Sequence, residues 1–108
     1  MDLSKKKCVP CEGNVPPLAG DKIAELKKEI KSDWTVENNL KLKKEYLFAN
    51  FKQTMEFVNK VADIAEQEGH HPDMQVSYSK VGIELWTHSI NGLSENDFIM
   101  AAKIDRIK

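Results

Sequence analysis

Histidine is the residue type in this chain that is best suited to chemistry, and all three histidines fall within a short stretch, at His70, His71 and His88. An imidazole titrates close to neutral pH, so histidine is the side chain that most often donates and accepts protons in catalysis. His70 and His71 precede Pro72 in a segment between two predicted elements. Such connections often carry functional groups. The pattern therefore makes general acid–base catalysis one candidate function.

Other interpretations of these residues stay open. Adjacent His70 and His71 can form a polar surface pair, and His88 can cap a strand. Three histidines can also bind zinc with an open fourth position, although side chains that are neighbours in an extended segment point apart. Cys8 and Cys11 are the only two cysteines. A structural zinc site needs about four ligands, and a redox motif needs a helix that starts at the pair. A bland or loosely structural role is therefore favoured for both, with adventitious metal binding and redox chemistry as the alternatives.

The spacing of apolar residues predicts the elements that position the histidines. Residues that recur every three or four positions predict three helices, and alternating residues predict four strands. Asp21 is expected to cap the first helix. The second helix is predicted to begin after Asn50 and to end at Gly69. The third starts at Ser94, and Asp97 completes its capping box.

The element order α-β-β-α-β-β-α predicts an α+β fold, in which a four-stranded antiparallel sheet carries three helices packed on one face. Residues 1–20 are predicted to be an irregular N-terminal lead-in, and residues 21–108 a single domain. Lys41, Lys43 and Lys44 are expected on the exposed face of the second strand. Val76 and Tyr78 are predicted to lie in the third strand.

The second predicted hairpin can bring the histidines together. His71 precedes the third strand and His88 ends the fourth, so both lie at the open end of the hairpin. Asp97 begins the next helix nearby and can orient one imidazole, unless it only serves as the capping partner of Ser94. We expect Glu66, one helical turn before His70, to stabilise the His70 imidazolium, and Asp97 to stabilise that of His88.

The composition argues against several classes of partner. There are 16 lysines and arginines and 17 aspartates and glutamates, and the net charge is −1. Such a balance does not favour binding to nucleic acid or to an anionic membrane. No apolar stretch approaches the roughly 20 residues of a membrane span, and the first residues lack the apolar region of a secretory signal. We therefore expect a cytoplasmic protein.

Several spacings together resemble the signature of the pterin-4a-carbinolamine dehydratase family. An acidic residue stands four positions before His-His-Pro, a histidine follows 17 positions after the second histidine, and an aspartate nine positions further. An aromatic residue, Tyr78, lies between them. The segment 57–62 resembles the central helix of the family, and residues 11–18 are similar to its bacterial members. The matching stretches are Glu66–Pro72, Thr87-His88 and Gly92–Asp97.

The resemblance implies a function and a site. Family members share the predicted fold and dehydrate 4a-hydroxytetrahydropterin to quinonoid dihydropterin, which recycles pterin for aromatic amino acid hydroxylases. It implies His70 and His88 as catalytic residues, with no metal or organic cofactor. It implies a homodimer or homotetramer. The pterin substrate is expected to contact His71, Glu66, Asp97 and Pro72.

Two departures from the family pattern and two alternative functions remain. Gly69 stands where many members have aspartate, and Asn96 stands where animal members have arginine, so a contact to substrate is in doubt. Animal relatives also act as dimerisation cofactors for a transcription factor, and a non-catalytic interaction module is therefore one alternative. A role in molybdopterin metabolism is the other.

Overall fold

The computed structural model describes residues 2–9 and 16–107. Cys11 and the adjoining Glu12-Gly13, which contributed to the family resemblance, lie outside the described residues. The element order is the predicted one, and short 3₁₀ turns at Leu3–Lys5 and His88–Ile90 are added to it. The helices are α1 (Gly20–Lys27), α2 (Phe51–Glu68) and α3 (Glu95–Ile104), and the strands are β1 (Thr35–Glu37), β2 (Lys41–Leu47), β3 (Asp73–Val76) and β4 (Lys80–Leu85).

The four strands form one antiparallel sheet in the order β1-β2-β4-β3. Alternating burial shows which face of the sheet is turned towards the core. Val81, Ile83 and Leu85 of β4 are all buried, while the residues between them are half-exposed. The α+β fold is confirmed. Tyr78 is not in a strand, however. The amide of Ser77 donates to the carbonyl of Lys80 at 2.8 Å and closes the β3–β4 turn earlier than predicted.

The three helices cover one face of the sheet, as predicted. Phe57, Val61 and Ala65 of α2 join one hydrophobic cluster with Phe98 and Ala101 of α3 and with the buried residues of the strands. Burial of these faces removes apolar surface from water and supplies most of the driving force for folding. The larger buried side chains of the cluster are Leu3, Leu26, Trp34, Leu42, Ile83, Leu85, Leu93, Phe98, Ile99, Met100 and Ile104.

The helix ends that flank the histidines form as the sequence predicts. The side chain of Asn50 accepts a hydrogen bond from the amide of Gln53, and Gly69 ends α2 in the left-handed conformation, with φ of 64°. Ser94 and Asp97 form a reciprocal capping box at the start of α3. Asp21 does not cap α1, because the N-cap is Ala19 and Asp21 lies in the first turn.

The prediction of an exposed Lys44 is wrong. Only 7% of its side chain is exposed, and its ammonium lies 2.6 Å from Asp105 and 3.0 Å from Asp33. Period two places position 44 on the same face as Leu42 and Tyr46, beneath the helices. A buried ammonium is tolerated where carboxylates pair with it, and Asp105 also accepts hydrogen bonds from Tyr46 and from the indole of Trp34.

The described residues of the predicted lead-in contact the rest of the domain. Its described residues include the 3₁₀ turn at Leu3–Lys5, and Leu3, only 1% exposed, belongs to the core. The division into a lead-in and a domain stays a prediction. Across the described ranges, no helix combines the length and the apolar character that a bilayer crossing requires.

Candidate active site

A cavity of about 350 Å³ lies at the end of the sheet where β3 begins and β4 ends. All three histidines line it, together with Pro72. His70 and His71 come from the connection between α2 and β3, and His88 from the 3₁₀ turn after β4. The structure therefore brings together the residues that the second hairpin was expected to join. The remaining lining residues are Gly69, Asp73, Trp86, Thr87 and Ser89.

His70 is the least exposed of the three imidazoles and is bound to a buried carboxylate. Its Nε2 lies 2.6 Å from Oδ1 of Asp97, and the two side chains are 11% and 0% exposed. Gly69 turns the chain at the end of α2, and the capping box fixes Asp97 in the first turn of α3. These two helix ends therefore set the relative positions of the pair.

The other contacts of Asp97 determine which nitrogen of His70 carries a proton. Oδ2 of Asp97 accepts hydrogen bonds from the hydroxyl of Thr87 at 2.9 Å and from the amide of Ser94 at 3.0 Å. Since Oδ2 already accepts from two donors, we assign Oδ1 as the acceptor of a hydrogen bond from Nε2–H of His70. In neutral His70, Nδ1 is then the nitrogen with the free lone pair.

His71 forms a second histidine–carboxylate pair at the rim of the cavity. Its Nε2 lies 2.6 Å from Oε2 of Glu66, in the last turn of α2. These side chains are 60% and 77% exposed. Such an exposed pair contributes little to folding stability, so either side chain can release the other and contact a ligand instead.

His88 is held by two residues that the sequence analysis did not identify. The indole of Trp86 stacks on the imidazole with ring centres 3.9 Å apart, and its Nε1 donates to Oδ2 of Asp73 at 3.0 Å. The same carboxylate oxygen lies 3.8 Å from Nε2 of His88. Asp73 pairs with Glu84 across the sheet, and Trp86 follows two residues later on the same face. That alternation is the sequence signal that could have indicated this contact.

The carboxylates are paired with the histidines differently from the prediction. Glu66 contacts His71 instead of His70, and Asp97 contacts His70 instead of His88. The expected spacing of four residues between Glu66 and His70 applies only within a helix. The helix ends at Glu68, and the left-handed Gly69 directs the chain away from it.

A larger cavity, of about 540 Å³, lies on the open face of the sheet. Its lining includes Lys43 and Glu84 but no histidine. These two side chains form a salt bridge with each other at 3.4 Å, and Lys43 also contacts Glu37 at 2.9 Å. The smaller cavity, which all three histidines line, is therefore the candidate active site. In the ranges 2–9 and 16–107, no set of three or more histidine, cysteine, aspartate and glutamate side chains is arranged to hold a metal ion.

Comparison with known proteins identifies the family of this chain. Residues 16–107 match the family model described as "Pterin 4 alpha carbinolamine dehydratase". A protein of Rickettsia canadensis (strain McKiel), named "Putative pterin-4-alpha-carbinolamine dehydratase", is 52% identical over 95% of this chain and 94% of its own length.

Two solved structures are also similar. The first is described as "Crystal structure of transcriptional coactivator/pterin dehydratase from Brucella Melitensis". It is 29% identical with a TM-score of 0.76, over 82% of this chain and 95% of its own. The second, described as a "pterin dehydratase-like protein" that is "a RuBisCO assembly factor in the alpha-carboxysome", is 25% identical with a TM-score of 0.59, over 68% of this chain and 86% of its own. The chain belongs to the pterin carbinolamine dehydratase family, a family of hydro-lyases.

Proposed function

We propose that this chain dehydrates 4a-hydroxytetrahydropterin to quinonoid dihydropterin, with His70 and His88 as general acid and base. The observation that supports this most directly is one cavity lined by both imidazoles, in which His70 is bound to the fully buried carboxylate of Asp97. Membership of the dehydratase family supports the reaction class.

The reaction requires two proton transfers and no change of oxidation state. One group delivers a proton to the hydroxyl, the carbon–oxygen bond breaks, and water leaves. Another group takes the proton from the neighbouring ring nitrogen, which forms the new double bond, so that atoms and charge balance. Positioned side chains typically accelerate each such transfer by about 10²–10⁴-fold.

His70 is suited to this task because its tautomer is fixed. Its Nε2–H bond to Asp97 leaves Nδ1 as the reactive nitrogen, and the carboxylate stabilises the imidazolium that forms when Nδ1 takes a proton. The same arrangement of a buried carboxylate, an imidazole and a reacting group operates in hydrolytic triads.

His88 is suited to exchange protons with solvent during turnover. Its side chain is 59% exposed, and the stacked indole of Trp86 restricts how the ring can rotate. Oδ2 of Asp73 lies 3.8 Å from its Nε2. We propose that His71, Glu66 and Pro72, at the rim, contact the pterin ring and set its orientation, and that Asp97 acts through His70.

A spectrophotometric dehydratase assay tests this proposal. His70→Ala and His88→Ala should each lower kcat by about 10²-fold or more, while His71→Ala should mainly raise KM. Glu66→Gln should also raise KM. Glu56→Gln, at an exposed position on the same helix, is its matched control and should behave as wild type. Dialysis against a chelator should leave the rate unchanged. Folded His70→Ala and His88→Ala variants with wild-type turnover would refute the assignment.

We further propose that the chain acts as a homodimer or homotetramer. Four exposed apolar side chains lie at the end of the sheet opposite the histidines, namely Leu47, Phe51, Val76 and Tyr78. Grouped exposed apolar residues commonly mark protein–protein contacts. Light scattering after size-exclusion chromatography measures the mass, and a monomer at micromolar concentration would contradict this proposal.

A binding role without catalysis is the alternative, since one solved relative is described as a coactivator and the other as an assembly factor. A scaffold has no need of a buried His70–Asp97 pair. Wild-type protein that shows no turnover, together with a stoichiometric protein partner, would favour the binding role.

A further inference from the structure

The described residues 2–9, here called the N-terminal brace, lie against α3 and the end of α2. Leu3 is inserted into the core, and the ammonium of Lys103 donates to the carbonyl of Ser4 at 2.9 Å. The brace therefore follows α3 towards its N-terminus, which is the end that carries Asp97.

The last two residues of the brace contact both helix ends that form the His70–Asp97 pair. Oε1 of Glu68 accepts a hydrogen bond from the amide of Cys8 at 2.8 Å. The side-chain amide of Asn96 makes two bonds with the backbone of Val9: its Oδ1 accepts from the amide at 3.0 Å, and its Nδ2 donates to the carbonyl at 2.6 Å. Glu68 stands two residues before His70, and Asn96 immediately precedes Asp97.

A second contact from the N-terminal part of the chain supports the same region. The amide of Leu18 donates to the carbonyl of Leu93 at 2.9 Å. Pro17 packs so closely on Gly92 that a Cβ there would lie 2.6 Å from the Cβ of Pro17. This turn leads directly into the capping box of α3, whose backbone also donates to Asp97.

We propose that the N-terminal brace is a positioning element of the active site, with Asn96 and Glu68 as the positioning residues that hold Asp97 and His70 at hydrogen-bonding distance. Asn96 is only 3% exposed, and the side chain of Glu68 is 10% exposed. Hydrogen bonds of such buried groups restrict motion more than surface contacts do. Neither residue lines the cavity, so both act through the residues that follow them. The catalytic part of this inference rests on the proposed function.

Two variants test the brace at its contacts with the site. Asn96→Ala removes both bonds to Val9, and Glu68→Ala removes the acceptor of the Cys8 amide. Each should lower kcat by about 10- to 100-fold with little change in KM, because a displacement of up to about 1 Å has effects of this size. Glu68→Gln keeps an acceptor oxygen and should restore most of the rate. Arg106→Gln loosens only the exposed contacts with Asp2 and Ser4 and should leave kcat unchanged.

An NMR measurement of the histidine rings distinguishes positioning from a general loss of stability, and it does not depend on turnover. The ring nitrogen and proton signals of His70 should shift in Asn96→Ala and Glu68→Ala, recorded well below the melting temperature. Those of His71, whose partner lies at the rim, should not. Folded variants in which the His70 signals and kcat both match wild type would overturn the inference. If wild-type protein turns over no pterin, the proposed function fails, and the His70 signals alone decide whether the brace positions the pair.

Discussion

Replacing Asp97 with asparagine removes a negative charge from a fully buried position while preserving the shape of the side chain. The carboxylate accepts from His70 through one oxygen and from Thr87 and Ser94 through the other. An amide has one acceptor oxygen and one donor nitrogen, so it cannot satisfy all three donors. If the amide oxygen faces Ser94, the amide nitrogen faces His70, and the imidazole must accept at Nε2 and carry its proton on Nδ1.

The structure sets the size of the expected effect. A hydrogen bond to a charged group contributes about 1.5–3 kcal/mol. Since about 1.36 kcal/mol corresponds to a tenfold change in rate, losing this stabilisation of the His70 imidazolium lowers kcat by about 10- to 150-fold. The change of tautomer removes the lone pair from Nδ1, so the loss should reach the upper end of this range. KM should change little, because Asp97 does not line the cavity.

The assay is dehydratase turnover at saturating pterin, with folding checked by circular dichroism. The control is Glu56→Gln, which removes a charge from an exposed position on α2. A folded Asp97→Asn variant with a kcat within about twofold of wild type would refute the argument, because it would show that neither the charge nor the tautomer matters.

Three further predictions concern other parts of the structure. Lys44→Met should lower the free energy of unfolding, measured in urea, by about 3 kcal/mol, because it leaves the buried carboxylate of Asp105 without its counter-ion. Lys43→Met removes an exposed ion pair and should lower it by less than about 1 kcal/mol. Equal losses of stability in the two variants would contradict the buried pairing of Lys44. Burial, the nearby charge of Glu68 and other contacts raise the pKa of the Cys8 thiol to about 12. Because only the thiolate reacts, iodoacetamide at pH 8 should alkylate Cys8 of a Cys11→Ser variant about a thousandfold more slowly in the native chain than in the unfolded chain. The rate for the native chain should rise with pH. Similar alkylation rates for the native and unfolded chains would contradict this prediction. Gly69→Ala should lower stability by about 1–2 kcal/mol through its positive φ alone, since no atom lies within 4 Å of the new Cβ, and a neutral effect in thermal unfolding would contradict it.

The fold could be predicted because its local signals agree with one another. Alternating burial defines β4, and Asn50 and Ser94 cap α2 and α3 as their side chains suggest. Lys44 shows where such reasoning is incomplete. A lysine whose position in the strand faces the core is still predicted to be exposed unless its counter-ion is known. The counter-ion of Lys44 is Asp105, which lies 61 residues away in the sequence and could not be identified from the local pattern.

The candidate site was predictable as a set of residues but not as a set of contacts. Its histidines could be named from their chemistry and spacing, whereas the carboxylate partners of His70 and His71 depend on the backbone conformation of Gly69. With a helical residue at 69, the i,i+4 rule would pair Glu66 with His70. The left-handed Gly69 makes Glu66 the partner of His71 and leaves His70 to α3.

The three histidine–carboxylate contacts differ in burial, and this difference suggests different tasks. His70 is 11% exposed and bonded to a carboxylate that cannot move without disturbing a helix cap. His71 and His88 are about 60% exposed, and Glu66 and Asp73 are exposed as well. A rigid, dry pair preserves one tautomer through every turnover, whereas pairs in contact with water can rearrange around a substrate and exchange protons with solvent. In the proposed reaction, the buried His70–Asp97 pair is therefore the fixed group of the proton transfer, and the exposed pairs are the ones that meet substrate and solvent.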